Sequence, residues 1–384
     1  MEAAAKNKSA DGLRGIAALT VVVSHFVQAF LPTMLHKNYP SFLPENTHPS
    51  PLFQILTSPF LSLFYNGHFA VLIFFVLSGY VLTLPYFSGV SNAQAVLKKR
   101  LLGRYLRLNI PVAGAVLLAY VVYRLGLYQN IQAAELSGSV DWLKNFYPSG
   151  LSTVMAAKDA LYRYVLFGHS GVFVPPLWTM KVEFIGSIYL LLFYMTNPQK
   201  NNYVFLLFFL SFIFIIHQQA LVYYMAIFCG SFLSNIKDLG KYKAVVFGIG
   251  LCFGAFQLGF SYGAPIEGDF YFWKNIYNAI GAVLVVLAVV QGFACNIFES
   301  RLVQFLGKIS FSIYLIHFVV LCSISSFLYV KLPQTHGFLA INFLIYMAIS
   351  VGCAIIFTSL VDKKAIDLSH RFASAVLPYH REKA

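Results

Sequence analysis

The feature that most constrains this chain is a succession of long apolar segments with almost no charge inside them. They fall near residues 13–33, 67–85, 108–127, 176–196, 202–217, 219–236, 243–262, 276–296, 308–330 and 338–360. A helix rises about 1.5 Å per residue and needs about 20 apolar residues to cross the hydrocarbon of a bilayer. In lipid, backbone N–H and C=O groups must be satisfied within the protein, which favours helices. The sequence therefore predicts an all-α, polytopic membrane protein with about ten transmembrane helices. One transmembrane domain fills residues 1–384, its core spanning roughly 11–360.

Composition agrees. Hydrophobic residues make up 59% of the chain and charged residues 11%, against about 25% charged in soluble domains. A surface so poor in charge would expose large apolar patches to water. The formal net charge of +13 does not point to nucleic acid, because the basic residues lie between apolar runs rather than along one helical face. Cys229, Cys252, Cys295, Cys322 and Cys353 sit in apolar segments without metal-ligand spacing. They read as small apolar fillers, and no metal site is expected. The first run is as long as a full span and no small-residue cleavage site follows it, so it is not a cleaved signal peptide. The runs 202–217 and 219–236 almost touch at His217-Gln218-Gln219 and predict a tight helical hairpin.

Charge asymmetry sets the topology. Lys6 and Lys8 precede the first helix. Lys98, Lys99, Arg100, Arg104 and Arg107 follow the second, and Lys237, Lys241 and Lys243 follow the sixth. Lys363, Lys364, Arg371, Arg381 and Lys383 occupy the tail. These are alternate connections, which predicts that both termini are cytoplasmic. The protein is expected to be a multi-pass integral membrane protein, of the cell (inner) membrane if the organism is bacterial. The segments 34–66 and 128–175 would then be extracytoplasmic, although Lys144, Lys158 and Arg163 lie in the second. With its prolines in the first and Trp142, Phe146, Tyr147 and Tyr162 in the second, this pair is either a cap over an outward-opening site or plain connection.

Several ionisable residues fall within or beside the spans, where they are costly and mark sites or pathways by default. Arg14 and His25 are eleven residues apart, about three helical turns or roughly 16 Å, so they share a face of the first helix. A snorkelling anchor would also account for Arg14, and packing for His25. In the second helix, Ser78-Gly79 permits close helix approach. Arg104 and Arg107 are one turn apart. Paired guanidinium groups suit phosphate, or lipid headgroups. Glu183 lies well inside an apolar run and needs a partner, with Lys181, Arg14 and His25 as candidates. Trp178 suits an interfacial belt or a stacking surface. His317 is a second histidine within a span, sharing its face with Tyr314 and Ser310, and reads as a supporting residue rather than a base.

Five stretches in order resemble the acyltransferase 3 family, membrane proteins that O-acylate cell-surface glycans and other acceptors. They are Asp11-Gly12-Leu13-Arg14-Gly15 with His25; Phe74 to Gly79; Arg104-x-x-Arg107-Leu108-x-x-Pro111; Leu177-Trp178 with Glu183; and Gly307-Lys308-x-Ser310 with Tyr314-Leu315-x-His317. The resemblance implies that Arg14 and His25 are the arginine–histidine pair on which activity depends, and that Arg104 and Arg107 are the family's basic pair. It implies an acyl-CoA co-substrate, most often acetyl-CoA, with no permanently bound cofactor. Phe184 departs from the acidic or polar neighbour often found after the Glu183 position. The chain runs about 24 residues past the last segment, so the extracytoplasmic hydrolase-like domain of some members is expected to be absent.

The expected activity is O-acyl transfer, probed first as O-acetyl transfer. His25 would act as base, oriented by an acid such as Glu183. Arg104, Arg107 and Arg14 would hold the phosphates of acyl-CoA at the cytoplasmic side. The acceptor would be a polysaccharide sugar, a lipid-linked sugar or a small molecule, reached from the other side. A covalent acyl-histidine is a further option. Midplane histidines and an embedded glutamate also suit a proton-coupled transporter of a small solute, but no internal repeat or paired broken helices accompany them. A lipid-carrier glycosyltransferase would need acidic metal ligands, and 34–66 offers only Glu45.

Overall fold

The computed structural model describes residues 7–41, 43–88, 92–168, 172–196, 220–260 and 270–377. Its helices begin where the sequence supplies caps. The Asn7 side chain accepts the Ala10 N–H and starts α1 (Lys8–Phe30), with Asp11 in the first turn, where a carboxylate favours the helix dipole. Asn66 caps α2 (Gly67–Phe87) and Asn92 caps α3 (Ala93–Arg124) in the same way. Pro175-Pro176 leads into α4 (Trp178–Met195), as proline does at a helix start. Then come α5 (Leu221–Phe232), α6 (Lys243–Gly254), α7 (Phe270–Val290), α8 (Arg301–Val320), α9 (His336–Phe357) and α10 (Lys363–Val376). A π-helical turn over Leu321–Ser325 carries α8 on into Ser326–Lys331. A second, over Thr358–Asp362, joins α9 to α10.

Among the described residues, seven helices are long and apolar enough to cross a bilayer, and Leu221–Asn235 is a shorter apolar helix. The 202–217 run and its hairpin link lie outside the described residues. The chain is an integral multi-pass membrane protein. The start of α1 lies beside Tyr80 and Val290, and the end of α10 lies beside Lys99. Both ends of the described chain therefore share one face of the bundle, here the near face. The far face carries the described residues of 34–66 and the first part of 128–175, while the π-helical stretch Asp159–Phe167 dips back beside the middle of α3, where Tyr105 donates to the Leu161 carbonyl and Asn109 to the Ala160 carbonyl.

Two helices run furthest past the spans expected from hydropathy. α3 begins at Ala93 rather than near 108, because its basic stretch is helical and its guanidinium groups are occupied. Arg100 Nη1 donates to the carbonyls of Val81 and Leu82 at 2.7 and 2.8 Å. At the other end, α10 carries the last helix past 360 to Val376. Ala365, Ser369 and Ala373 are buried, and Leu368, Phe372 and Val376 stay exposed. Ser369 packs against α3 at Gly103, where a Cβ would lie 3.0 Å from its carbonyl oxygen. The 128–175 segment is also more ordered than a connecting loop. It holds short helices at Asn130–Ser137, Val140–Leu143 and Thr153–Lys158, then a π-helix over Asp159–Phe167.

Close backbone contacts fix the centre of the bundle. α1 and α8 run parallel and cross where Gly15 meets Gly307, with no room for a Cβ on either. On the other side of α1, α2 meets α5 where a Cβ on Gly79 would strike the Ile227 carbonyl and one on Gly230 the Val76 carbonyl. Small residues of this kind let membrane helices approach and gain dispersion contacts.

Candidate active site

A cavity of about 300 Å³ opens between α1, α2, α3, α4 and α8. Its polar wall is Arg14, Ser78, Arg104, Arg107 and Glu183, and its apolar wall includes Val71, Phe74, Phe75 and Met180. Glu183 sits one and a half turns into α4. It accepts hydrogen bonds from Ser78 Oγ of α2 and from Arg104 Nη2 of α3. Arg104 Nε donates to Ser187 Oγ at 2.8 Å, one turn further along α4. One carboxylate thus ties three helices together. The two side chains are only 12% and 15% exposed, so each depends on the other for its charge to be tolerated.

Glu183 thus takes its hydrogen bonds from Arg104 and Ser78, rather than from the Lys181, Arg14 or His25 weighed in the sequence. Arg14 Nη1 bonds to Asp11 Oδ1 at 3.3 Å, one turn back on α1, and the Lys181 side chain lies against Gly168. Arg107 Nη1 bonds to Asp362 Oδ1 at 2.6 Å and its guanidinium lies 5.2 Å from the Phe311 ring. Arg104 and Arg107 both line the cavity, but each already holds a carboxylate.

His25 is not among the residues lining this cavity. It lies further toward the far face, where its Nδ1 is 2.8 Å from Nε2 of His317. The ring planes differ by 6° and their centroids are 5.0 Å apart. His317 is fully buried on α8 and its Nδ1 lies 2.9 Å from the Ile313 carbonyl oxygen. Trp142 stacks at 5.6 Å from the His25 ring and Phe318 meets it edge-on at 5.5 Å. Phe146 closes the group against Phe318 at 4.9 Å. Trp142 and Phe146 come from the 128–175 segment, which Ser139 pins to α1 through a 2.8 Å bond to the Gln28 carbonyl. In the same segment burial pushes the Tyr147 phenol up, with the neighbouring Tyr128 adding to it. It stays protonated and donates to the Phe173 carbonyl at 2.5 Å.

Tyr314 stands between the two places. It lines the cavity, and its ring centroid is 6.1 Å from that of His317. Its hydroxyl is 2.8 Å from the Pro176 carbonyl and 2.9 Å from Thr179 Oγ1. The other expected supporting residues lie apart. Ser310 donates to the Gly307 carbonyl within α8 at 2.8 Å. Gly79 is a helix contact. Trp178 packs on Tyr223 at 5.1 Å and does not line the cavity. The sequence reading missed Asp362 and Thr179, and placed Trp142 only within a cap. Polar residues near helix ends were the available signal. Among the described residues no group of three or more His, Cys, Asp or Glu side chains is placed to hold a metal ion.

Comparison with known proteins follows the same lines. A family model described as an acyltransferase domain matches residues 7–359. Acyltransferase R4 of Phoma sp. is 23% identical, over 95% of this chain and 96% of its own length. O-acetyltransferase PaAT-1 of Phomopsis amygdali is 24% identical, over 80% of this chain and 70% of its own. Acyltransferase clz18 of Cochliobolus lunatus is 22% identical, over 95% and 96%. No solved structure matches.

Proposed function

The chain belongs to the acyltransferase 3 family, and from that premise we propose that it carries an acyl group, acetyl first, from an acyl-CoA at the near face to a hydroxyl presented at the far face. The near face would be cytoplasmic, since Lys98, Lys99, Lys363, Lys364 and Arg371 gather there. The acceptor that best suits the aromatic walls is a sugar of a surface polysaccharide or lipid-linked glycan, whose ring faces would lie against Trp142 and Phe146. The single observation carrying the reading is a hydrogen-bonded imidazole pair under that aromatic cap, with a cationic cavity on the membrane side opposite.

In this reading the cavity holds the donor. Arg14 and Arg107 sit where they meet anionic oxygens, and Arg104 keeps Glu183 in place. The Glu183–Ser78–Arg104 node is thus a clamp on three helices rather than an orienting acid for His25. The acyl arm runs past Tyr314 and Thr179 toward His25. An alcohol attacks a thioester slowly near neutral pH unless a positioned base removes its proton as the bond forms. His25 is that base. The hydroxyl oxygen bonds to the acyl carbon, its proton passes to the imidazole, the carbon–sulfur bond breaks, and the proton is returned to the leaving thiolate.

The test is mass spectrometry of glycans, lipids and secreted small molecules from cells with and without the gene, fed isotopically labelled acetate. A labelled acetyl increment that depends on the gene, and on acetyl-CoA when the purified protein is reconstituted, is expected. Solute uptake driven by a pH gradient with no acylated product would replace the reading with a transporter.

A further inference from the structure

The two histidines are more than neighbours, because their hydrogen bonds run in one direction. Parallel planes, a 5.0 Å centroid separation and a 2.8 Å nitrogen–nitrogen contact place the rings edge to edge. That is the geometry of an in-plane N–H···N bond, not of a face-to-face stack. The direction follows from the far end of the chain. The Ile313 carbonyl oxygen can only accept, and it lies 2.9 Å from His317 Nδ1. His317 Nδ1 therefore carries its proton. A neutral imidazole has one N–H, so His317 Nε2 is a bare acceptor. His25 Nδ1 must then be the donor across the 2.8 Å contact, and His25 Nε2 is left with its lone pair free. The opposite arrangement would set the lone pair of His317 Nδ1 against that of the carbonyl.

From this we infer that His317 is a positioning residue, which locks His25 in the tautomer with Nδ1 protonated and Nε2 bare. This rests on the proposed role of His25 as base and deepens it by naming the atom that takes the proton. The helix geometry supports the lock. α1 and α8 are parallel and touch at Gly15 and Gly307, and each histidine lies ten residues further along, so the contact that sets the helix spacing also sets the imidazole register. His317 is fully buried while His25 is half-buried, so the pair has one accessible end. When His25 gains the acceptor's proton, its Nδ1–H stays bonded to a neutral acceptor that spreads the new charge. Second partners of this kind fix which histidine nitrogen reacts.

The deciding experiment is nitrogen-15 NMR of the full chain, labelled at histidine and reconstituted in lipid nanodiscs, with His25→Ala and His317→Leu used to assign the signals. His25 is expected as a single tautomer with protonated Nδ1 and bare Nε2, giving way to a mixture in His317→Leu. A His25 signal with Nε2 protonated in the unaltered protein would overturn the inference. Acyl transfer gives a second readout. His317→Leu should lose about 100-fold or more in kcat with donor KM little changed, as expected when a base is misaligned. His317→Gln, whose amide can accept from His25 and donate to Ile313, should recover much of it. Equal loss in both variants at unchanged thermal stability counts against the lock. If the NMR result holds but the unaltered protein acylates nothing, the functional reading alone has failed.

Discussion

The cavity between α2, α3 and α4 is lined by paired charged side chains, whereas the surroundings of His25 are aromatic rings. In the cavity, Arg104 pairs with Glu183 across two helices and Arg107 pairs with Asp362. Around His25, two imidazoles bond to each other among the rings of Trp142, Phe146 and Phe318. An ionic wall suits the recognition of a charged donor and tolerates the cost by pairing. A wall of rings would suit the base proposed for His25, which must be neutral to take a proton. Tyr314 stands between the two regions, lining the cavity with its ring centroid 6.1 Å from that of His317, and the proposed split of binding from chemistry can be tested by mutation.

The largest expected effect sharpens the division. His25→Ala should lower acyl transfer by about 10²–10⁴-fold, the usual contribution of a general base, while the detergent-solubilised protein melts as before. Normal turnover in that variant would dissolve the distinction between the regions. Glu183→Ala should act in the opposite sense, on stability first. Leaving Arg104 unpaired is expected to cost about 3 kcal/mol, the lower end for a broken buried pair since both side chains keep slight exposure. A large fall in thermal midpoint would show it, and an unchanged midpoint would mean that the cavity's charges are not structural.

Smaller effects separate the two sides by substrate. Arg107→Ala should raise the KM for acyl-CoA by about tenfold, the value of one charged hydrogen bond, with acceptor KM unmoved. Trp142→Ala should do the reverse, raising acceptor KM by roughly three- to tenfold for the loss of one aromatic contact. If both variants shifted the same constant, the cavity and the aromatic surroundings of His25 would be one site rather than two.

Much of this division was legible in the sequence, but not its wiring. Ionisable residues in apolar runs announced Arg14, His25, Glu183 and His317, because lipid penalises them whatever their neighbours. The helical period placed Tyr314 on the His317 face. Periodicity says which residues share a side of one helix, and nothing about which helix lies opposite. That is why Glu183 finds Arg104 and Ser78, and why the His25–His317 contact, across 292 residues of chain, could not be read. The start of α3 was hidden for a related reason. Hydropathy counts Lys98 to Arg107 as polar, yet Arg100 is satisfied by the carbonyls of Val81 and Leu82, and Arg104 and Arg107 by carboxylates. Asp362 escaped notice because it follows the last apolar run and looks like tail.

That tail aspartate has a practical meaning. Through Arg107, the stretch that follows the last apolar run is wired into the wall of the cavity, and α10 braces α3 from outside. A nonsense or frameshift allele that spares every earlier residue but stops ahead of Asp362 would strand a guanidinium in the membrane. Such alleles should behave as losses of function rather than as harmless clippings, and purification tags belong beyond Val376.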